Sequence, residues 1–198
     1  YGKGNDSNLK SYIEFPSTFN LYNIWNTNEL KGASICFWYR ITWLDETKNS
    51  ARLINFYNTS DTSNNVGIAI GQHNDSSTDF CLTVNNVNDI FQPHSGNIID
   101  GEWHFMVVNI KDDINNHTVQ VLIDGVEKVS ESTGAFSATS TFNYQYIGRG
   151  EDIENGYFVA YYNDFRVYSQ ILDTYQIDQI YENRNVFVDD GKKMLKNN

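Results

Sequence analysis

Asp100-Gly101-Glu102-Trp103-His104-Phe105-Met106-Val107-Val108-Asn109-Ile110 and, a little further on, Val119-Gln120-Val121-Leu122-Ile123-Asp124-Gly125-Val126-Glu127-Lys128-Val129 form the stretch most plainly suited to a sheet. Aromatic and β-branched residues fit a pleated, half-buried surface, so Trp103 to Ile110 and Val119 to Asp124 are expected as adjacent strands. Lys111 to His117 lies between them, rich in Asp and Asn, and reads as a loop because these side chains bond their own backbone in turns. Asp124-Gly125 is the strongest hairpin signal in the chain, since both residues tolerate the left-handed backbone that a tight hairpin requires. Val126 to Val129 should fold back there as a third antiparallel strand.

The same pattern extends outward. Upstream, Tyr12 to Pro16 is a short strand stopped by Pro16, and Ser34 to Ile41 is another strand. In that strand Ile35, Phe37, Tyr39 and Ile41 point one way, while Ser34, Cys36, Trp38 and Arg40 point the other. Both sides are largely apolar, as expected for a strand covered on both faces. Ala51 to Tyr57, Val66 to Gly71 and Phe80 to Val84 are further strands, separated by the polar linkers Thr59 to Asn65 and Gln72 to Asp79. Phe19 to Lys31 reads as a loop. Downstream come strands at Tyr144 to Gly148 and Phe158 to Tyr168. One helix follows: Asp173 is its cap, Gln176 completes a capping box, and Ile177, Ile180 and Tyr181 share one apolar face. Many strands, regular turns and one late helix make an all-β, antiparallel two-sheet sandwich, or jelly roll, with one short C-terminal helix. We expect a single domain over residues 1–198, with its core at about 12–182, a polar lead-in at 1–10 and a tail at 183–198.

Composition bounds the function. With 40% hydrophobic and 20% charged residues the chain is globular rather than disordered. A net charge of −11 with no basic stripe repels a phosphate backbone, so nucleic acid is not an expected partner. No apolar run is long enough to cross a bilayer as a helix. Cys36 and Cys81 both lie in apolar strands without a CxxC neighbour, and buried free thiols are expected ahead of a bridge. The chain begins at Tyr1, which fits a processed protein or a piece of a longer one.

Several stretches, in this order, resemble the signature strands of the laminin-G-like, concanavalin A-like lectin–glucanase jelly rolls. Asp100 to Val108 resembles D-G-x-W-H-x-x-A/V-V, and Val121 to Gly125 resembles L-Y-V-D-G. Tyr146 to Arg149 is similar to L-x-I-G, and Asn163 to Tyr168 to I-D-E-V-R-I-Y. Leu172 to Tyr181 resembles A-L-S-x-x-E-I-x-x-L-Y, and Ile35 to Tyr39 resembles F-T-V-S-F-W-V. The resemblance covers roughly residues 12–182. The receptor-binding half-domain of clostridial neurotoxins has a similar F-R-I-F ending, but the D-G-x-W-H run favours the general family. The resemblance implies that Trp103 fills the core near its strand start and that His104 is a packed or rim histidine rather than a catalyst. Asp164 and Arg166 are expected as a structural ion pair, with each other or with Arg149.

The same fold hosts glycosidases, so function has to be argued from a site. A retaining glycosidase needs two carboxyls about 5 Å apart, and the E-x-D-x-x-E signature of the laminarinase type is not in this sequence. The nearest acidic cluster, Glu151-Asp152-Ile153-Glu154, reads as a loop between Gly150 and Gly156. The chain is therefore read as non-enzymatic. Lectin-like sandwiches bind at loops and rims, where amides and carboxylates bond sugar hydroxyls and an aromatic face covers the sugar ring. Candidate ligand-binding residues are Asn58, Asp61, Asn64, Asn65, Asn74, Asp75, Asp112, Asp113 and Asn116, with Trp25, Trp43 and Tyr57 as stacking surfaces. Asp75 and Asp79 are candidates for a possible Ca²⁺ site, since this ion takes oxygen ligands.

The function expected is a non-catalytic carbohydrate-binding or adhesion module of an extracellular, cell-surface or virion-surface protein, with a glycan or a neighbouring protein as partner. The alternatives are a structural or decoration protein of an assembly such as a virus capsid, whose Val186-Phe187-Val188 tail docks on a neighbour or on its own sheet, and a glycoside hydrolase. Alternation further predicts one connected core holding Trp103, Phe105, Val107, Val121, Ile123, Ile147, Phe165 and Val167, sealed by Ile177 and Ile180.

Overall fold

The computed structural model describes residues 12–16, 19, 32–44, 51–58, 66–73, 77–84, 87–93, 97–113, 116–134, 144–149, 158–183, 188–189 and 192–193. Its strands are β1 (Ile13–Glu14), β2 (Gly32–Leu44), β3 (Arg52–Asn58), β4 (Val66–Gln72), β5 (Phe80–Val84), β6 (Val87–Phe91), β7 (His104–Asp113), β8 (Asn116–Ile123), β9 (Val126–Gly134), β10 (Tyr144–Ile147), β11 (Phe158–Tyr168), β12 (Val188–Asp189) and β13 (Lys192–Lys193). The helix α1 spans Thr174–Glu182. Two antiparallel sheets face each other, one six-stranded in the order β1-β10-β3-β4-β5-β6 and one five-stranded in the order β11-β2-β7-β8-β9. β12 and β13 pair separately. The expected antiparallel sandwich forms, with one short helix among the described residues.

Three sequence signals act as expected. Asp124 and Gly125 both take positive φ, 52° and 77°, so the hairpin between β8 and β9 closes in two residues with the twist of its strands. Asp173 accepts a hydrogen bond from the Gln176 amide at 2.8 Å, and the Gln176 side chain accepts one from the Asp173 amide at 3.0 Å. This closes the capping box and satisfies donors that the first turn otherwise leaves open. The two faces of β2 separate as the alternation requires, and both are buried.

The expectation of one connected core is wrong, and the reason lies in β7. Met106, Val108 and Ile110 face the other sheet and join Ile35, Phe37, Tyr39, Phe56, Phe80, Val121, Ile123 and Ile147 in the inner core. Phe105 and Val107 point outward with Cys36 and Trp38, where Leu172 and Ile177 cover them. Trp103, Ile180 and Tyr181 pack on that outer cluster, whereas Phe165 and Val167 pack on the inner one. Both phases of β7 are apolar, so alternation groups its residues correctly without saying which set meets the facing sheet. Trp103 therefore closes the outer layer rather than the space between the sheets.

The helix is held at a defined place. The Ser34 hydroxyl lies 2.6 Å from the Asn109 side-chain oxygen, the Leu172 amide donates to Ser34 Oγ at 2.9 Å, and Asn109 Nδ2 donates to the Leu172 carbonyl at 3.3 Å. A nine-residue helix is marginal on its own, so this buried polar tether and the apolar face of Ile177 and Tyr181 supply what its own hydrogen bonds do not. The chain passes so close to Gly32 that a Cβ there would meet Ile171 Cγ1 at 2.7 Å.

Other boundaries differ from expectation. The Lys111 to His117 loop is mostly strand: Asp112 pairs with His117 and Asp113 with Asn116 in the ladder. β9 runs to Gly134 rather than stopping at Val129, because β8 offers it partners as far back as Asn116. β6, β12 and β13 were not anticipated, being short or polar. Cys36 and Cys81 are unbridged and buried, as expected. They lie on strands of different sheets, and burial pushes the Cys36 thiol up to about 12, with Arg166 opposing and Asp164 adding to it. The Phe19 to Lys31 loop beyond Phe19, the Glu151 to Glu154 cluster, and Val186 and Phe187 lie outside the described residues.

Phe37 sits at the centre of the inner core, stacked on Phe165 with ring centroids 5.6 Å apart. Phe37→Ala should cost roughly 3–5 kcal/mol. Phe165→Ala should cost less, because Phe165 is only half-buried, and Trp43→Ala, at an exposed position, less than about 1 kcal/mol. Urea unfolding of the three variants checks the order.

Candidate functional site

The strand registers show which expected site residues come together. Tyr39 pairs with His104 and Gly32 with Lys111, so one end of the five-stranded sheet carries the close of β2 and the start of β7. The Asp124-Gly125 turn belongs to that end, since Met106 pairs with Ile123. The opposite end carries Asp112, Asp113 and Asn116. Trp43 lies eleven residues along β2 from Gly32, about 36 Å at ~3.3 Å per residue. It cannot share a sugar with the Asp112–Asn116 hairpin. Tyr39 approaches Phe80 at 6.2 Å, and Phe80 approaches Phe158 at the same distance, so the Trp43 end also carries the start of β5 and, just before it, Asp79. Tyr57 and Asn58 pair with Gly67 and Val66 at the far end of β3. The expected residues thus divide between opposite ends of the sandwich.

Trp25, Asp61, Asn64, Asn65, Asn74 and Asp75 lie outside the described residues. Asp79 accepts a hydrogen bond from the Thr78 hydroxyl at 3.1 Å. Among the described residues no three His, Cys, Asp or Glu side chains form a group suited to a metal ion, and no helix is long and apolar enough to cross a membrane.

One expected residue, Trp43, belongs to a coherent surface. It is 45% exposed and stands opposite Val159 of the edge strand β11, which is 39% exposed. Two positions along, Tyr161 is 50% exposed and stands opposite Arg40. The Arg40 guanidinium lies 5.1 Å from the Tyr161 ring centre and 6.0 Å from that of Trp103. The register shift between Val159 and Ala160 marks an irregularity in the pairing of β11 with β2, next to Thr42 and Trp43. There Thr42 Oγ1 donates to the Val159 carbonyl at 3.2 Å. The outcome is an aromatic surface with a cation held between two rings, at the end of the sheet away from the Ser34–Asn109 tether that seats α1. Sequence reasoning missed Arg40, Val159 and Tyr161. Their signal was the run Val159-Ala160-Tyr161, whose alternation puts the two large side chains on the face opposite the core-facing Ala160.

The D-G-x-W-H stretch has a physical meaning at the same end. His104 Nδ1 lies 2.7 Å from Asp124 Oδ2, and its Nε2 lies 2.9 Å from Asp100 Oδ2. Asp124 Oδ1 also accepts the Phe105 amide at 2.9 Å, and Asp100 Oδ1 accepts the Glu102 amide at 2.9 Å. Burial alone lowers the affinity of His104 for a proton, but the hydrogen bonds to Asp124 and Asp100 outweigh it and raise the pKa above its ordinary value. Both ring nitrogens are committed, so His104 is a clamp between the β7 start and the β8–β9 turn, as expected of a rim histidine. Asp164 and Arg166 form the other expected pair: Nε and Nη2 of Arg166 each donate to one Asp164 oxygen at 2.7 Å. The pair is partly exposed, and Asp164 sits at φ 53° where the register of β11 shifts. Arg149 takes no part in it.

A family model described as the concanavalin A-like lectin/glucanases superfamily, of laminin-G type, matches residues 6–178. The chain belongs to this family. Among solved structures, the binding domain of botulinum neurotoxin serotype D/C is 16% identical, with a TM-score of 0.51, over 83% of this chain and 40% of the toxin chain. Domain 4 of an extracellular arabinanase from Geobacillus stearothermophilus, in complex with arabinotriose, is 18% identical, with a TM-score of 0.50, over 75% of this chain and 65% of its own. The CBM40 domain of Ruminococcus gnavus IT-sialidase, bound to α2,3-sialyllactose, is 11% identical, with a TM-score of 0.51, over 76% of this chain and 83% of its own. At these identities the likeness concerns the fold. This chain spans 40% of the toxin binding domain that it matches. No curated protein sequence matches it. The family holds both binding domains and glycosidases, so membership does not by itself decide between them.

The raised His104 pKa has a signed consequence. A folded-state pKa above the unfolded value near 6.5 gives stability that is full below that value and is lost as pH rises through the folded one. The stability gap between the native protein and His104→Gln should therefore narrow as pH rises above the ordinary histidine value, as measured by urea unfolding. An NMR titration of His104 should show its midpoint above the ordinary histidine value, falling in Asp124→Asn.

Proposed function

We propose that this domain is a non-catalytic carbohydrate-binding module that takes its ligand on the Trp43, Tyr161 and Arg40 surface. The exposed pair of Trp43 and Tyr161 on one face carries this reading. A flat ring covers the apolar side of a sugar while neighbouring donors take its hydroxyls. Arg40 supplies such donors between the rings. The saccharide-bound relatives of the same fold support the reading, and so does the commitment of both nitrogens of His104, which leaves that residue no base or nucleophile role. An extracellular or particle-surface setting fits a glycan ligand. The proposal includes Ca²⁺ at Asp75 and Asp79, whose oxygen ligands suit this ion.

The second reading is a protein neighbour in an assembly. It is favoured by β11, which ends the order of its sheet among the described residues and carries the exposed Val159 and Tyr161 that a protein neighbour would cover. A glycan array probed with and without Ca²⁺ separates the two. Binding to a defined saccharide set is expected, weakened about tenfold or more, ~1.4 kcal/mol, by Trp43→Ala and by Tyr161→Ala. No binding in either condition would sink the glycan reading and leave the protein-binding one.

A further inference from the structure

Arg149, like Arg40, is set over two aromatic rings, but at the other sheet. Gly148, at φ 79°, turns the chain out of β10, and its amide donates to the Leu53 carbonyl at 2.9 Å, which fixes where Arg149 leaves the sheet. The Arg149 guanidinium then lies 4.6 Å from the ring centre of Tyr12 and 4.5 Å from that of Tyr146. These two rings meet edge-on, with centroids 5.4 Å apart. The cation is thus framed by two aromatic rings contributed from chain positions far apart.

Among the described residues this arginine has no counter-ion: no carboxylate or hydrogen-bond acceptor pairs with it, and its Nε is buried without a partner. Glu14 is on the neighbouring strand, in register with Tyr146, and forms no ion pair with it. Arg166, by comparison, is paired bidentately with Asp164. The rings hold the guanidinium in place and shield its faces, so its remaining donors are directed at the surface. That is the arrangement a ligand oxyanion requires, because a guanidinium fork matches a carboxylate or sulfate with two parallel hydrogen bonds. The half-exposed Tyr12 ring beside it offers a surface for a sugar ring.

We infer that Arg149, held between Tyr12 and Tyr146, is a subsite for the anionic group of an acidic saccharide, a uronate carboxylate or a sugar sulfate. The inference rests on the glycan-binding reading and adds a ligand class to it. The overall charge of −11 repels polyanions, so any preference for an anionic sugar has to come from a local site.

The test is calorimetric titration of the full chain with four probes: oligogalacturonate, neutral galacto-oligosaccharide, dextran sulfate oligosaccharide and neutral dextran. At least one anionic probe should bind tenfold or more tightly than its neutral counterpart, and the preference should shrink as salt rises. Whether galacturonate or sulfate shows it identifies the source of the oxyanion. Arg149→Gln should remove the preference, and so should Arg149→Lys, which keeps the charge without the planar fork. Tyr12→Ala, at an exposed position, should weaken it with melting temperature unchanged. A preference that survives Arg149→Gln, or no preference in the native chain, overturns the inference. Native protein that binds neutral sugars without preferring anionic ones keeps the glycan reading and loses only this subsite. Native protein that binds none of the four, and nothing on the array, loses both.

Discussion

A sheet that is apolar on both faces must be covered on both, and this requirement organises the molecule. Across β2, from Gly32 to Tyr39, every residue is buried, with Ile35, Phe37 and Tyr39 turned to one cover and Cys36 and Trp38 to the other. The inner cover is a second sheet. The outer one is a helix of only two or three turns, which the Ser34–Asn109–Leu172 hydrogen bonds seat in one position. A short helix covers a short stretch of sheet. Beyond its reach the outer face still carries Arg40 and the exposed Trp43, Val159 and Tyr161, so the proposed binding surface is the part of this face that the helix does not reach.

The D-G-x-W-H run acts on the same frame. Its aspartate and the aspartate of the β8–β9 turn hold one imidazole between them, while the tryptophan closes the outer layer. The pattern is thus the chemical record of a corner, where the start of β7 is tied to the turn that follows β8. A histidine used in this way has no free nitrogen for proton transfer. Chemistry on this domain would have to come from other groups, and the paired carboxylates that a retaining glycosidase requires are not suggested by any motif in the chain.

What was legible in the sequence was local. Asp124-Gly125 announced a turn that needs two left-handed residues, Asp173 and Gln176 announced a cap, and β2 displayed its two faces by alternation. The side of the sheet to which a strand presents each set of residues was not legible for β7, because Phe105 and Val107 are as apolar as Met106 and Val108. The site was read less well than the fold. Polar loops attract attention as binding loops, but adjacency in sequence does not say at which end of a sandwich a loop lies, and the registers separate Trp43 from Asp112, Asp113 and Asn116. The Arg149 cage is assembled from Tyr12, Tyr146 and Arg149, and only the pairing of β1 with β10 brings the first of these to the others.

β11 carries the exposed Tyr161 and Val159 along the outermost position of its sheet. A straight, apolar border of that kind invites another chain to add itself as the next strand, and then another. At Asp164 the backbone turns left-handed, the register slips, and a charged pair is planted in the middle of the border. A second molecule approaching edge to edge finds no long, flat run to match. The strand that displays the aromatic surface therefore also carries a left-handed residue, a slipped register and a charged pair, the kinds of feature by which proteins blunt an exposed sheet edge.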